Sequence, residues 1–207
     1  MSYISAYCHI SNNGFYINGN LITSFASTGV KEIILNLYSA LNIKYSKFHK
    51  MDDLSKLGFI GTELIKNTIP EIDNFGENDI ALLFSNKKSS ATTDILFRES
   101  YQNGGIPSPS LFVYTLPNIL IGEISIRNKW YGENMFTVSS DFDAKNFSDY
   151  CNILLNKNSK AAMCGWINTD TSKIKAFFFF VTKEDIKQLN LPLSSDQLHD
   201  IYSAIQI

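Results

Sequence analysis

Two runs of this chain are apolar without a break: IALLF at residues 80–84 and AFFFFV at residues 176–181. A strand with one face in water alternates polar and apolar residues, so unbroken runs of this length belong to strands covered on both faces. The longer run is far too short to cross a bilayer. Between such strands lie helical patterns. Val30, Ile33, Ile34, Leu37 and Leu41 repeat on one helix face, as do Phe147, Tyr150, Cys151, Leu154 and Leu155. Leu54, Leu57, Gly58, Gly61, Leu64 and Ile65 mark another helix, ended by Pro70. Glycine costs a helix about 1 kcal/mol against alanine, so Gly58 and Gly61 predict close packing against other elements.

The rest of the chain follows the same alternation. Residues 3–10 and 135–139 read as further strands, the second of them buried. Residues 161–168 and 173–182 read as two strands of a hairpin turning at Thr169-Asp170-Thr171-Ser172. Gly14 and Asn18-Gly19-Asn20 supply turn chemistry, and Ser194 with Gln197 opens a last helix. Strands apolar on both faces and alternating with helices predict an α/β chain in three layers, folded as one domain over residues 1–207. With 44% apolar and 18% charged residues it can bury a sizeable core. A net charge of −2 offers no general attraction for nucleic acid or anionic membrane, and the clusters Lys44, Lys47, Lys50, Lys56 and Lys87, Lys88 read as solvated surface. The N-terminus lacks the features of a signal peptide, so a soluble, cytoplasmic protein is expected.

Residues 108–140 carry a more specific signal. Ser108-Pro109-Ser110-Leu111-Phe112, Thr115-Leu116-Pro117-Asn118, Gly122-Glu123-Ile124-Ser125-Ile126-Arg127, Tyr131-Gly132-Glu133-Asn134 and Thr137-Val138-Ser139 follow one another in sequence. Their order resembles the N-terminal half of a β-ketoacyl synthase (3-oxoacyl-ACP synthase), and the likeness extends back to Met51-Asp52-Asp53-Leu54 and forward to Cys164-Gly165-Trp166. The resemblance implies a single half of the thiolase-like fold: α/β/α layers around a mixed five-stranded sheet. It also implies a dimer in which the strand at residues 135–139 pairs with its mate across the axis.

Two departures bear on activity. In the resembled family the nucleophilic cysteine stands three residues after the serine of Thr-Val-Ser, at a helix start whose N–H groups and dipole favour a thiolate and a developing oxyanion. Here that position is Phe142, between Asp141 and Asp143, and the half that would carry the catalytic histidines is absent from this sequence. The resemblance therefore implies a non-catalytic, chain-length-factor-like partner in bacterial fatty-acid-like or polyene (aryl polyene or flexirubin-type) biosynthesis. The partner would be a second copy or a full-length synthase, with an acyl carrier protein as a further candidate. Phe112, Val113, Tyr114, Thr115, Phe136 and Val138 are the candidate tunnel or interface residues.

Rival readings stay open at this point. Cys164 could serve a small thioester-processing enzyme, or the chain could be a purely structural dimerisation module. The three cysteines, Cys8, Cys151 and Cys164, form no CxxC pair and read as core residues. His9, His49 and His199 match no metal spacing, and His9 is expected to be satisfied in or near the first strand. No cofactor and no metal site is expected. Phe142 reads either as a core aromatic or as a wall of an acyl tunnel.

Overall fold

The computed structural model describes residues 1–26, 29–170, 172–183 and 189–205, with only the backbone of Asn103. Its strands are β1 (Tyr3–Ser11), β2 (Gly14–Ile17), β3 (Asn20–Ser24), β4 (Ile80–Asn86), β5 (Asn134–Val138), β6 (Ala161–Thr169), β7 (Ile174–Thr182) and β8 (Leu191–Pro192). The helices are α1 (Val30–Ala40), α2 (Asp53–Thr68), α3 (Ala91–Tyr101), α4 (Pro109–Val113), α5 (Ile119–Asn128), α6 (Ala144–Lys157) and α7 (Ser195–Ser203). All the described strands join one mixed sheet in the order β3-β2-β1-β7-β6-β4-β5, with β8 paired to β1.

β7 lies inside the sheet, antiparallel to both β1 and β6. Its four phenylalanines alternate between two cores. Phe178 and Phe180 pack with α1, α2 and α5; Phe177 and Phe179 pack with α6 and α7. The apolar run thus enforces three layers, because neither face of this strand can meet water. Sheet and helices are tailored to one another by missing side chains. A Cβ on Gly61 of α2 would stand 2.4 Å from the Phe178 ring, and one on Gly58 would stand 2.5 Å from Leu120 of α5. The helical glycines are therefore contact points, as their cost predicts. Asp52, Asp143 and Ser194 cap α2, α6 and α7 by accepting the N–H of Ser55, Asn146 and Gln197.

Two expectations need correction. The sheet has eight strands, not five: β1-β7-β6-β4-β5 form the central set, and β2, β3 and β8 extend it beyond β1. Within the extension Asn18-Gly19, both with positive φ (49° and 83°), turn β2 into β3. The strand after the Gly132 turn is also not buried. Among the described residues β5 is the sheet's other edge, paired only with β4, and its residues are half-buried or exposed. Among the described residues, no helix is long and apolar enough to cross a membrane.

Gly61→Ala tests the contact between α2 and β7. Helix propensity alone favours alanine by about 1 kcal/mol, whereas overpacking a buried ring costs about 1–3 kcal/mol. The expected outcome is a net loss of stability in urea titration; a net gain would mean that the ring yields.

Candidate functional site

β5 ends at Val138, and a five-residue turn leads into α6. Ser139 donates its N–H to the Asn86 carbonyl (2.9 Å) and its hydroxyl to the Asp141 carbonyl (2.6 Å), which fixes the turn beside the end of β4. Phe142 precedes the Asp143 cap, and Phe147 lies on the first full turn beyond it. Their rings stack at 5.3 Å, an apolar clasp across the helix start. Phe142 also meets Tyr202 (4.6 Å), Phe177 (5.1 Å) and Phe179 (6.3 Å), so it closes an aromatic cluster between α6, α7 and β7.

The polar groups of the turn are paired within the chain. Asp141 Oδ1 accepts the N–H of Phe142 (2.8 Å) and the hydroxyl of Tyr202 (2.9 Å). Burial pushes the Asp141 carboxyl up, but that amide, the tyrosine hydroxyl and the cations of Lys175 and Lys87 outweigh it and hold it below the usual carboxylate range. The amide at position 142, which at a catalytic helix start could face an oxyanion, is occupied by a carboxylate of the chain itself. Burial and Asp141 together raise the Tyr202 hydroxyl, and Lys175 Nζ lies 4.5 Å from its ring centre. The site therefore holds a buried phenyl ring, a neutralised amide and no nucleophile at position 142.

The cysteines offer none nearby. Cys151 of α6 and Cys164 of β6 are fully buried with sulfurs 3.4 Å apart, and burial together with Cys151 pushes the Cys164 thiol well up. Cys8 is likewise buried and its thiol raised. His9 corrects another expectation. It lies on β1 at 0% exposure, stacked on Phe177 (4.5 Å), and among the described residues neither ring nitrogen has a well-formed hydrogen bond. Burial lowers its pKa to about 4; the nearby Tyr202 carbonyl opposes that shift and Lys175 adds to it. Among the described residues, no group of three or more His, Cys, Asp or Glu could hold a metal ion.

The candidate tunnel and interface residues divide between the faces. Phe112 on α4 is 61% exposed and leans on Phe97 of α3 (5.4 Å), and Val113 is exposed beside it. Tyr114 is buried and donates to Glu123 Oε1 (3.2 Å), while the Thr115 hydroxyl donates to the Phe112 carbonyl (2.7 Å). Phe136 packs against the α2 side of the sheet, opposite Phe142, and Val138 at the end of β5 is 55% exposed. The sheet thus separates Phe142 from Tyr114 and Phe136.

A cavity of about 600 Å³ lies outside the carboxyl ends of β4 and β6, where the starts of α1, α2 and α3 converge. That is the usual location of a ligand crevice in α/β sheets. Its apolar wall includes Val30, Met51, Leu54, Leu96, Leu111 and Ile167; Lys31, Lys56 and Lys88 also line it, with Lys56 paired to Asp53 and Lys88 to Asp170 of the same lining (3.7 Å each). Asp52 also lines it, accepts the Thr93 hydroxyl (2.9 Å), and has its carboxyl raised chiefly by burial. Sequence reading misses this cavity because its residues come from five separated segments.

No protein-family model matches the chain, and no curated protein does. Solved structures share its fold. One is a ketosynthase in complex with its chain length factor from Xenorhabdus doucetiae, at 9% identity and TM-score 0.55, with 88% of this chain and 79% of that chain covered. The ishigamide ketosynthase/chain length factor matches at 12% identity and TM-score 0.58, over 89% of this chain and 62% of that one. A type II PKS acyl-carrier protein in complex with its ketosynthase bound to the hexaketide matches at 13% and TM-score 0.62, over 87% and 62%. The chain therefore spans less than two thirds of the length of the latter two. At these identities the likeness establishes the fold alone, a mixed α/β arrangement that these structures share.

Two measurements probe the site. The unfolded chain protonates a histidine near pH 6.5, whereas native His9 resists until about 4. Stability should therefore fall as pH drops between those values, by about 3 kcal/mol at most. His9→Phe should flatten that slope in urea titrations at successive pH values; an unchanged slope assigns it elsewhere. All three thiols should resist an aromatic disulfide reagent in the native state, and fast labelling of Cys164 would contradict its burial.

Proposed function

We propose that this chain is a non-catalytic β-ketoacyl-synthase-like subunit, acting in the manner of a chain length factor beside a full-length synthase that supplies the cysteine and histidines. The observation that carries this reading is Phe142. The helix start where the resembled enzymes hold their nucleophile is built here as an aromatic clasp, with its amide satisfied by Asp141. A thioester has nothing to react with at that position. The enzyme alternative through Cys164 finds no support, because a fully buried thiol with a raised pKa is neither accessible nor ionised.

A partner is supported by what stays uncovered. β5 presents an unpaired edge with no proline and no lysine, which leaves it open to another strand. α3 and α4 pack on one another and leave Ile95, Leu96, Phe112, Val113 and Leu116 in solvent, an apolar surface of the kind that marks association. The solved neighbours include complexes of a ketosynthase with a chain length factor and with an acyl-carrier protein. On this reading Phe112, Val113, Tyr114, Thr115, Phe136 and Val138 serve the tunnel end or the contact, and the pathway is fatty-acid-like or polyene biosynthesis of the aryl polyene or flexirubin type.

Co-expression with a cysteine-bearing synthase from the same genome is the test. A stable complex should bury well above about 1,000 Å² and survive size exclusion. Val138→Lys should release the partner while leaving the thermal transition of this chain close to wild type, since the side chain is exposed. Failure to co-purify with any such synthase, or an intact complex in the Val138→Lys variant, would count against the reading. Light scattering that gives a lone 23.4 kDa species would exclude self-pairing and leave the heteromer.

A further inference from the structure

The three cysteines divide between the two cores. Cys8 of β1 packs on the α1 and α2 side of the sheet, while Cys151 of α6 and Cys164 of β6 share the opposite core. Cys151 lies on the inward stripe of α6, one turn from Phe147 on one side and from Leu155 on the other. Cys164 stands in register with Leu83 of β4 and Phe179 of β7, at the centre of the sheet. Both are at 0% exposure, and their sulfurs, 13 positions apart in the chain, are 3.4 Å apart in space. Buried thiols usually serve as small apolar groups, each among hydrocarbon neighbours. Here two of them touch across a helix–sheet contact. Only about 1.4 Å of approach separates that contact from an S–S bond of about 2.0 Å.

We infer that Cys151 and Cys164 form a buried dithiol that hydrogen peroxide closes into an intrachain disulfide, stapling α6 to β6. In the first step one sulfur attacks peroxide, the O–O bond breaks, and a sulfenic acid and one water form. In the second the other sulfur displaces the hydroxyl: the S–O bond breaks, the S–S bond forms, and the hydroxyl leaves with the thiol proton as a second water. Two thiols and one peroxide thus give one disulfide and two waters. Burial selects this product. A bulky or charged thiol has no path to a mixed disulfide, and the neighbouring sulfur meets the sulfenic acid before a second peroxide does. Cys8 cannot compete, because the sheet lies between. Burial and Cys151 raise the Cys164 thiol, so the reaction is slow and answers sustained exposure. Peroxide is small and uncharged, and local openings that exclude a bulky aromatic reagent admit it. The staple ties down the helix whose start carries the Phe142–Phe147 clasp.

No part of this chemistry rests on the proposed function. The test holds the full reduced chain, freed of reductant, in native buffer with hydrogen peroxide and follows it by peptide mapping and thiol counting over hours. One peptide pair should appear joined through residues 151 and 164, about 2 Da lighter than its two reduced halves. Urea should then expose Cys8 as the one remaining free thiol. The thermal transition should rise by about 5–10 °C, because the cross-link restricts the unfolded chain. Dithiothreitol in urea should restore both thiols. Cys8→Ser should give the same joined pair, and Cys151→Ala or Cys164→Ala should abolish the rise in the transition. If either alanine variant fails to fold, the map of the wild-type chain and of Cys8→Ser decides. Two free thiols at positions 151 and 164 after exposure, oxygen added to either sulfur, a bond to Cys8, or a lowered transition overturns the dithiol.

Discussion

Everything in this molecule is arranged around a strand that cannot touch water on either side. β7 sends Phe178 and Phe180 into one core and Phe177 and Phe179 into the other, and each ring fixes a neighbour. Gly61 exists because Phe178 occupies the space of its missing side chain, and Gly165 on β6 makes room for Phe84 and Phe178 together. Truncating one buried phenylalanine costs a domain about 3–5 kcal/mol, a large share of ordinary stability. The run therefore specifies the layering more strongly than any local propensity does.

The same strand also organises the second core. The sheet face that carries Phe177 is closed by α6 and by α7, whose Leu198, Ile201 and Tyr202 are buried against it. Tyr202 fastens that closure twice, through its ring on Phe142 and its hydroxyl on Asp141. Position 142 thus serves stability: it joins a helix start, a sheet and a C-terminal helix. A catalytic residue at this point would have to stay polar and reachable, and the structure makes it apolar and covered.

Much of this is legible in the sequence, for reasons that differ by element. β4 and β7 carry unbroken apolar runs, α1, α2, α6 and α7 carry a periodic apolar pattern or a cap, and both glycines of α2 announce close contacts. The β2–β3 extension escapes because its strands have four and five residues and β3 is wholly exposed, so Asn18-Gly19 marks a turn but no alternation marks the strands. β5 reads as buried because Met135, Phe136 and Val138 are apolar, although only one of its edges is paired. Phe142 and Phe147 flank Asp143 at the spacing of a helix-start clasp, a signal available in sequence but outweighed there by what is missing at position 142. His9 could not be foreseen: nothing in its neighbourhood of sequence says that a polar ring will be fully buried against Phe177.

The central claim is that chemistry occurs on a partner and not on this chain. Its most direct test is intact-mass analysis of both polypeptides, quenched during turnover of a reconstituted pair with an acyl carrier substrate. The account predicts an acyl adduct on the synthase alone, with no added mass on this chain, and elongation that requires both proteins. An acyl group found on Cys151 or Cys164, or condensation by this chain without its partner, would contradict it.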